Sequence, residues 1–213
     1  MNTPPWLKKK LVEPQQLEAR VSSLRKSGRT IASLNGSFDL LHAGHLYIIH
    51  QASLQADVLL VALNSDASIR AYKNSNRPII PLNYRLEMMA ALEFVDFVTW
   101  FEETDPCALL SKVRPDVHVN GAEYGAHCIE AEVVRSFGGR MHLVDRIPSL
   151  STSSIIEKMQ EPASVIGFRR FSEAFWRIFD SFAGGNIRQF DITPRKRVEN
   201  SLKNPRKSTE TDD

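Results

Sequence analysis

His42 and His45 are the residues in this 213-residue chain whose types and spacing most directly invite chemistry. They stand three apart in the segment IASLNGSFDLLHAGHLYIIH (residues 31–50), where a short apolar run enters the loop Asn35-Gly36-Ser37-Phe38-Asp39 and a helical pattern follows. A strand that feeds a glycine loop and then a helix exposes N–H donors at a positive helix terminus, and both features suit phosphate. With the helix starting near His42, the two imidazoles share one face of its first turn and can meet the same anionic centre. Gly44 leaves room between them for close backbone approach. A plainer reading of the same residues makes His42 a helix cap and His45 a surface histidine. Zinc is poorly served, because the other histidines and the two cysteines, Cys107 and Cys128, offer no spacing that completes a ligand set.

Positioning such a pair requires a scaffold, and the rest of the chain supplies the pattern for one. Short apolar strands are expected over 31–34, 58–63, 95–99, 117–120 and 140–144, with helices over 14–26, 44–55, 83–92, 106–113, 129–137 and 151–159. Helices in every gap between strands predict a doubly wound α/β domain on a mostly parallel five-stranded sheet. At 24.1 kDa, with 42% hydrophobic and 24% charged residues, the chain is long enough for a core that needs no disulfide or structural zinc. The expected organisation is a loose lead-in over 1–13, the α/β domain over 14–159, a Phe-rich helical extension over 160–191 and a disordered tail over 192–213.

The extension holds Phe168, Phe171, Phe175, Phe179, Phe182 and Phe190, six of the 11 phenylalanines. Phe171, Phe175, Ile178, Phe179 and Phe182 form one broad helical stripe ended by Gly184 and Gly185. It can pack on its own core, join two subunits or dock a partner; a homodimer contact is the expectation adopted here. With 27 Lys plus Arg against 25 Asp plus Glu, the formal charge of +2 makes no case for nucleic acid or an anionic membrane. No run approaches 18 apolar residues and no signal-peptide pattern opens the chain, so no membrane span is expected. Two cysteines without a CxxC pattern read as reduced thiols of a cytoplasmic protein.

NGSFDLLHAGH resembles the GxFDxxHxGH signature of the nucleotidyltransferase superfamily, which contains cytidylyltransferases and adenylyltransferases. The segments KLVEPQQLEARVSSLRKSGRTIASLNGSFDLLHAGHL, VALNSDASIRAYKNSNRPIIPLNYRLEMMAALEFVDFV, RPDVHVNGAEY and STSSIIEKM together resemble the adenylyltransferase domain of ADP-heptose synthase. The resemblance implies a Rossmann-like nucleotidyltransferase fold. It also implies transfer of a nucleotidyl group from an NTP, ATP favoured, to a sugar 1-phosphate, with pyrophosphate released. Mg²⁺ is implied as the counter-ion of the NTP, with no dedicated protein metal site. A separate sugar kinase is expected to supply the acceptor.

Residue by residue, the resemblance places Gly36, Ser37 and Phe38 in the loop that approaches the nucleotide, and Asp39 as organiser of that loop. It makes His42 and His45 contacts to the triphosphate and Lys73 a mobile cation bridging acceptor phosphate and α-phosphate. Arg77 is a second phosphate candidate, and Arg85 is open between a structural ion pair and a substrate contact. Asn120, Gly121 and Glu123 match the VKGGDY-type loop, with Asn120 in place of its lysine. Arg146, Ser151, Thr152 and Ser153 resemble the RTxGISTT pattern of glycerol-phosphate cytidylyltransferases, where hydroxyls and N–H groups meet the β- and γ-phosphates. Two alternatives stay open: a CTP-dependent glycerol-3-phosphate or polyol-phosphate cytidylyltransferase, and a non-catalytic nucleotide-binding regulator or scaffold.

Overall fold

Three aspartates set the N-terminal edge of a parallel sheet. The computed structural model describes residues 3–125, 128–145 and 151–160. Its strands are β1 (Ile31–Gly36), β2 (Val58–Asn64), β3 (Phe97–Phe101), β4 (Val117–Gly121) and β5 (Arg140–Val144), in the order β3-β2-β1-β4-β5. All four pairings are parallel. Asp57, Asp96 and Asp116 each precede a strand and accept a hydrogen bond from a backbone N–H at or just before the start of the adjoining one. Their donors are Thr30 at 2.9 Å, Leu59 at 2.8 Å and Ile31 at 2.8 Å. These clasps satisfy the N–H groups that the first residues of a parallel ladder leave over.

The helices are α1 (Pro5–Lys10), α2 (Leu17–Lys26), α3 (Ala43–Ser53), α4 (Asp66–Tyr72), α5 (Leu82–Ala90), α6 (Cys107–Val113), α7 (Ile129–Ser136) and α8 (Thr152–Gln160). Strand alternation assigns their faces. Ala32 and Leu34 of β1 pack in one cluster with Ile49 and Ala52 of α3 and Leu86 and Met89 of α5. Ile31 packs in the other with Val21 of α2, Leu109, Leu110 and Val113 of α6 and Val134 of α7. Each of the Val, Leu, Ile and Met side chains among these, fully buried, contributes about 1.5–3 kcal/mol by transfer. Because α3 and α6 lie on opposite faces, the winding reverses between β1 and β4. The C-terminal ends of those two strands are where an open sheet of this kind holds a ligand.

Four differences from the sequence reading have physical causes. The segment 1–13, expected to be loose, carries α1, with Leu7 and Val12 buried. Leu11 bridges Val98, and Val12 N–H donates to the Val98 carbonyl at 2.8 Å, so this segment covers the edge of β3. The element expected over 14–26 opens as a 3-10 turn (Pro14–Gln16) before α2 begins. β3 starts at Phe97 rather than at 95, because Asp96 is spent as a clasp. Finally, α4 occupies what reads as a polar loop. Ser65 caps it, accepting from Ser68 N–H at 3.1 Å, and Ile69 is the one large apolar side chain that it buries. The Phe-rich stripe, the homodimer contact expected of it and the tail lie outside the described residues. Among the described residues no helix is long and apolar enough to cross a membrane.

His118 lies in the middle of β4 and is fully buried. Its Nδ1 meets Ser33 Oγ at 2.7 Å, while Nε2 has no hydrogen-bond partner among the described residues. Burial pushes its pKa from 6.5 down to about 4, against a smaller opposing effect of Ser33. The unfolded chain therefore takes up a proton near pH 6.5 that the folded chain refuses until about pH 4. Stability attributable to His118 is complete above this window and is lost as pH falls through it, by about 3 kcal/mol in total. His118→Asn should flatten the dependence of the urea midpoint on pH between 7 and about 4.5; parallel parental and variant profiles would refute the assignment.

Candidate functional site

The loop after β1 is held open by strain and by long-range hydrogen bonds. Phe38 and Leu40 both adopt left-handed backbone, with φ of 46° and 49°, a conformation that non-glycine residues keep only when their surroundings impose it. Asp39, between them, is fully buried. Its carboxylate accepts from Arg77 Nε at 2.8 Å and from Ile79 and Ile80 N–H at 2.9 Å each, while its carbonyl accepts from Thr152 Oγ1 at 2.8 Å. Asp39 thus ties the glycine loop to residues 77–80 and to the start of α8. The Phe38 ring lies across Gly36, where an added Cβ would approach it to 3.1 Å.

His42 is the N-cap of α3, with extended backbone and with its Nδ1 accepting from His45 N–H at 3.4 Å. That acceptor role assigns the ring proton to Nε2. The His42 and His45 rings stack with centroids 3.8 Å apart, and Phe38 meets His45 edge-on at 5.4 Å. The start of α8 is closed by a reciprocal pair: Ser154 N–H donates to Ser151 Oγ at 3.1 Å and Ser151 N–H to Ser154 Oγ at 3.0 Å. This is a capping box with serine at both positions.

A cavity of about 650 Å³ runs over the C-terminal ends of β1 and β4, within the range of small-molecule sites. Its lining includes His42, Gly44, His45 and residues 151–153, from the starts of α3 and α8, and Thr104, Asp105, Pro106, Cys128 and Glu130, from the starts of α6 and α7. Gly36, Ser37, Phe38, Lys73, Asn120, Gly121 and Glu123 also line it. Lys73, the C-cap of α4, places Nζ 3.3 Å from Ser37 Oγ. Partial burial, followed by the Arg77 guanidinium, lowers the Lys73 pKa. Asn120 is turned onto its own strand end: its Oδ1 accepts from Gly121 N–H at 3.0 Å. At Gly121 a Cβ would overlap the Glu123 carboxylate, so glycine allows the chain to fold back there.

The sequence-selected residues thus divide. His42, His45, Lys73, Gly36, Ser37, Phe38, Ser151, Thr152, Ser153, Asn120, Gly121 and Glu123 all border the cavity. Asp39, Arg77 and Arg85 are not among its lining residues. Arg77 is engaged with Asp39, and Arg85 is fully buried, donating to the carbonyls of Ser37, Asn64 and Ile80 and to Asp66. Arg146 lies outside the described residues.

Sequence reasoning passed over Tyr72, Thr104, Asp105, Tyr124, Cys128 and Glu130, which also line the cavity. The signal for Thr104–Pro106 was available: they follow β3 at the same sheet edge as the glycine loop. The two thiols are poor nucleophiles. Burial and the Asp105 carboxylate push Cys107 up to about 12, and burial and the Glu130 carboxylate raise Cys128. No group of three or more His, Cys, Asp or Glu among the described residues can hold a metal ion.

The cytidylyltransferase-like family model matches residues 33–170. The bifunctional protein HldE of Alkalilimnicola ehrlichii is 42% identical over 151 residues, which cover 70% of this chain and 31% of the relative. HldE of Hahella chejuensis is 39% identical over 148 residues, covering 69% and 31%. The chain therefore spans about a third of the length of these relatives. The pantoate-beta-alanine ligase of Francisella tularensis shares the fold, with a TM-score of 0.51 at 17% identity, covering 71% of this chain and 74% of that one.

Proposed function

The chain belongs to the cytidylyltransferase-like family, and from that premise we propose that it transfers the adenylyl group of ATP to a heptose-like sugar 1-phosphate, releasing pyrophosphate. The observation that supports this most is the stacked His42–His45 pair at the N-terminus of α3, facing the same cavity as the capped start of α8. Two helix N-termini lining one cavity offer N–H donors and positive potential to a triphosphate. ATP and a sugar 1-phosphate follow from the resemblance of the segments quoted above to ADP-heptose synthase.

A phosphate oxygen of the acceptor attacks the α-phosphorus, a new O–P bond forms, and the bond to the bridging oxygen breaks as pyrophosphate departs with the electron pair. No protein nucleophile is needed. The chain aligns the reactants and meets charge as it shifts towards the leaving group. His42 donates from Nε2 to the phosphates, with His45 stacked beside it. Lys73 bridges acceptor phosphate and α-phosphate. Mg²⁺ enters as part of the nucleotide substrate. The acceptor arrives already phosphorylated, so a sugar kinase acts upstream, and the reaction belongs in the cytoplasm, where ATP is available.

The test incubates the protein and Mg²⁺ with ATP, CTP, GTP or UTP against hexose and heptose 1-phosphates and glycerol 3-phosphate, reading pyrophosphate and product mass. ATP with a sugar 1-phosphate is the expected pair. CTP with glycerol 3-phosphate would replace this reading by the cytidylyltransferase one, and no product in any combination would reject transfer. Light scattering on the same preparation tests the proposed homodimer, which a monodisperse monomer at high micromolar concentration would exclude.

A further inference from the structure

Glu130 is a carboxylate in an unexpected place. It stands in the first turn of α7, where a negative charge complements the helix terminus, but Glu132 in the same turn does that from solvent. Glu130 is only 8% exposed and lines the cavity. Ionised carboxylates are seldom buried without a cation, and the three ion pairs among the described residues, Arg25–Asp116, Arg77–Asp39 and Arg85–Asp66, do not include it. Its polar neighbour is the Cys128 thiol, whose pKa it helps to raise. A thiol is a weak donor, so the carboxylate keeps acceptor capacity for something that enters the cavity.

The cavity indicates what enters. Among the described residues its charged lining is uneven: Asp105, Glu123, Glu130 and Asp145 against Lys73 as the lysine or arginine. Carboxylates repel phosphate, so Asp105 and Glu130, at the starts of α6 and α7, suit the uncharged, donor-rich part of a substrate. In-line displacement places the attacking acceptor opposite the departing pyrophosphate. With the triphosphate at the α3 and α8 N-termini on one sheet face, the body of the acceptor extends towards the other face, where α6 and α7 begin.

Resting on the reading under Proposed function, we infer that Glu130 binds hydroxyl groups of the acceptor beyond its phosphate and so selects polyhydroxylated phosphates. The buried carboxylate accepts from one or two sugar O–H groups, and its neighbour, the Cys128 thiol, is uncharged.

Binding, measured separately from turnover, tests this. Mannose 1-phosphate, its monodeoxy analogues, a heptose 1-phosphate and glycerol 3-phosphate are titrated by calorimetry into the full chain holding a nonhydrolysable ATP analogue. Glu130→Gln, which keeps the side chain's shape, should weaken the best sugar phosphate about 10- to 100-fold, the range for a hydrogen bond to a charged group. Affinity for the ATP analogue should stay within about twofold, and Glu132→Gln should change neither. At least one monodeoxy analogue should bind the parental chain weakly and lose nothing further in Glu130→Gln.

Unchanged sugar-phosphate affinity in folded Glu130→Gln and Glu130→Ala overturns the inference, as does parental failure to bind any of these phosphates. An equal loss of ATP-analogue affinity also overturns it, by placing Glu130 at the nucleotide. Glu130-dependent sugar-phosphate binding without pyrophosphate release in the parental chain would reject transfer and leave the inference standing.

Discussion

Replacing either His42 or His45 by alanine lowers kcat by about 10²- to 10³-fold, the usual cost of removing a donor aimed at developing charge. The fold adds a complication that the sequence pattern hides. Because His42 also caps α3, His42→Ala loses a cap worth about 0.5–2 kcal/mol. The bond involved is long at 3.4 Å, so the lower part of that range applies. His42→Asn separates the two roles. Asparagine is among the best N-caps and cannot place a donor where imidazole Nε2 lies, so it should restore the melting temperature while turnover stays low. Near-parental kcat in folded His42→Asn and His45→Ala would remove the pair from the chemistry. Recovery of both melting and turnover in His42→Asn would reduce His42 to a cap.

What the sequence discloses and what it conceals divide along physical lines. The strands are legible because each is a run of five to seven residues rich in apolar side chains, most of them buried in β1 to β4, and such runs stand out without any knowledge of their neighbours. His42 and His45 are legible for a related reason: a strand, a glycine loop and a helix start adjoin in sequence, so the site is assembled locally. Helix α1 escapes because six residues carry too little periodicity, and its justification is the distant edge of β3. α4 escapes because it buries little apolar surface.

Glu130 and Asp105 escape for a different reason. Each follows a different strand, and only the reversal of winding brings the starts of α6 and α7 to one cavity. Asp39 lies between these cases. Its place in the signature is readable, but its partners at residues 77–80 are some forty positions away.

Arg85→Ala should cost about 3–5 kcal/mol of stability, the range for breaking a buried ion pair from one side. The sequence leaves Arg85 open between an ion pair and a substrate contact; its surroundings favour the first. The guanidinium is fully buried, and its donors are committed to Ile80 O at 2.9 Å, Ser37 O at 2.6 Å, Asn64 O at 2.9 Å and Asp66 Oδ1 at 2.7 Å. These acceptors belong to the glycine loop, the end of β2, the start of α4 and the loop before α5, so one side chain joins four segments around the cavity floor. A lysine has a single ammonium and cannot reach this fork of acceptors, so Arg85→Lys should recover little. For a domain of this size each kcal/mol moves the melting temperature by roughly 2–4 °C. Both variants should therefore melt roughly 10 °C or more below the parent, with ATP affinity falling only as the loop around Ser37 loosens. A thermal melt paired with ATP calorimetry below the variants' transitions decides the matter. An unchanged melt combined with lost acceptor or nucleotide affinity would mean that Arg85 leaves its carbonyls to reach substrate, and the structural assignment would fail.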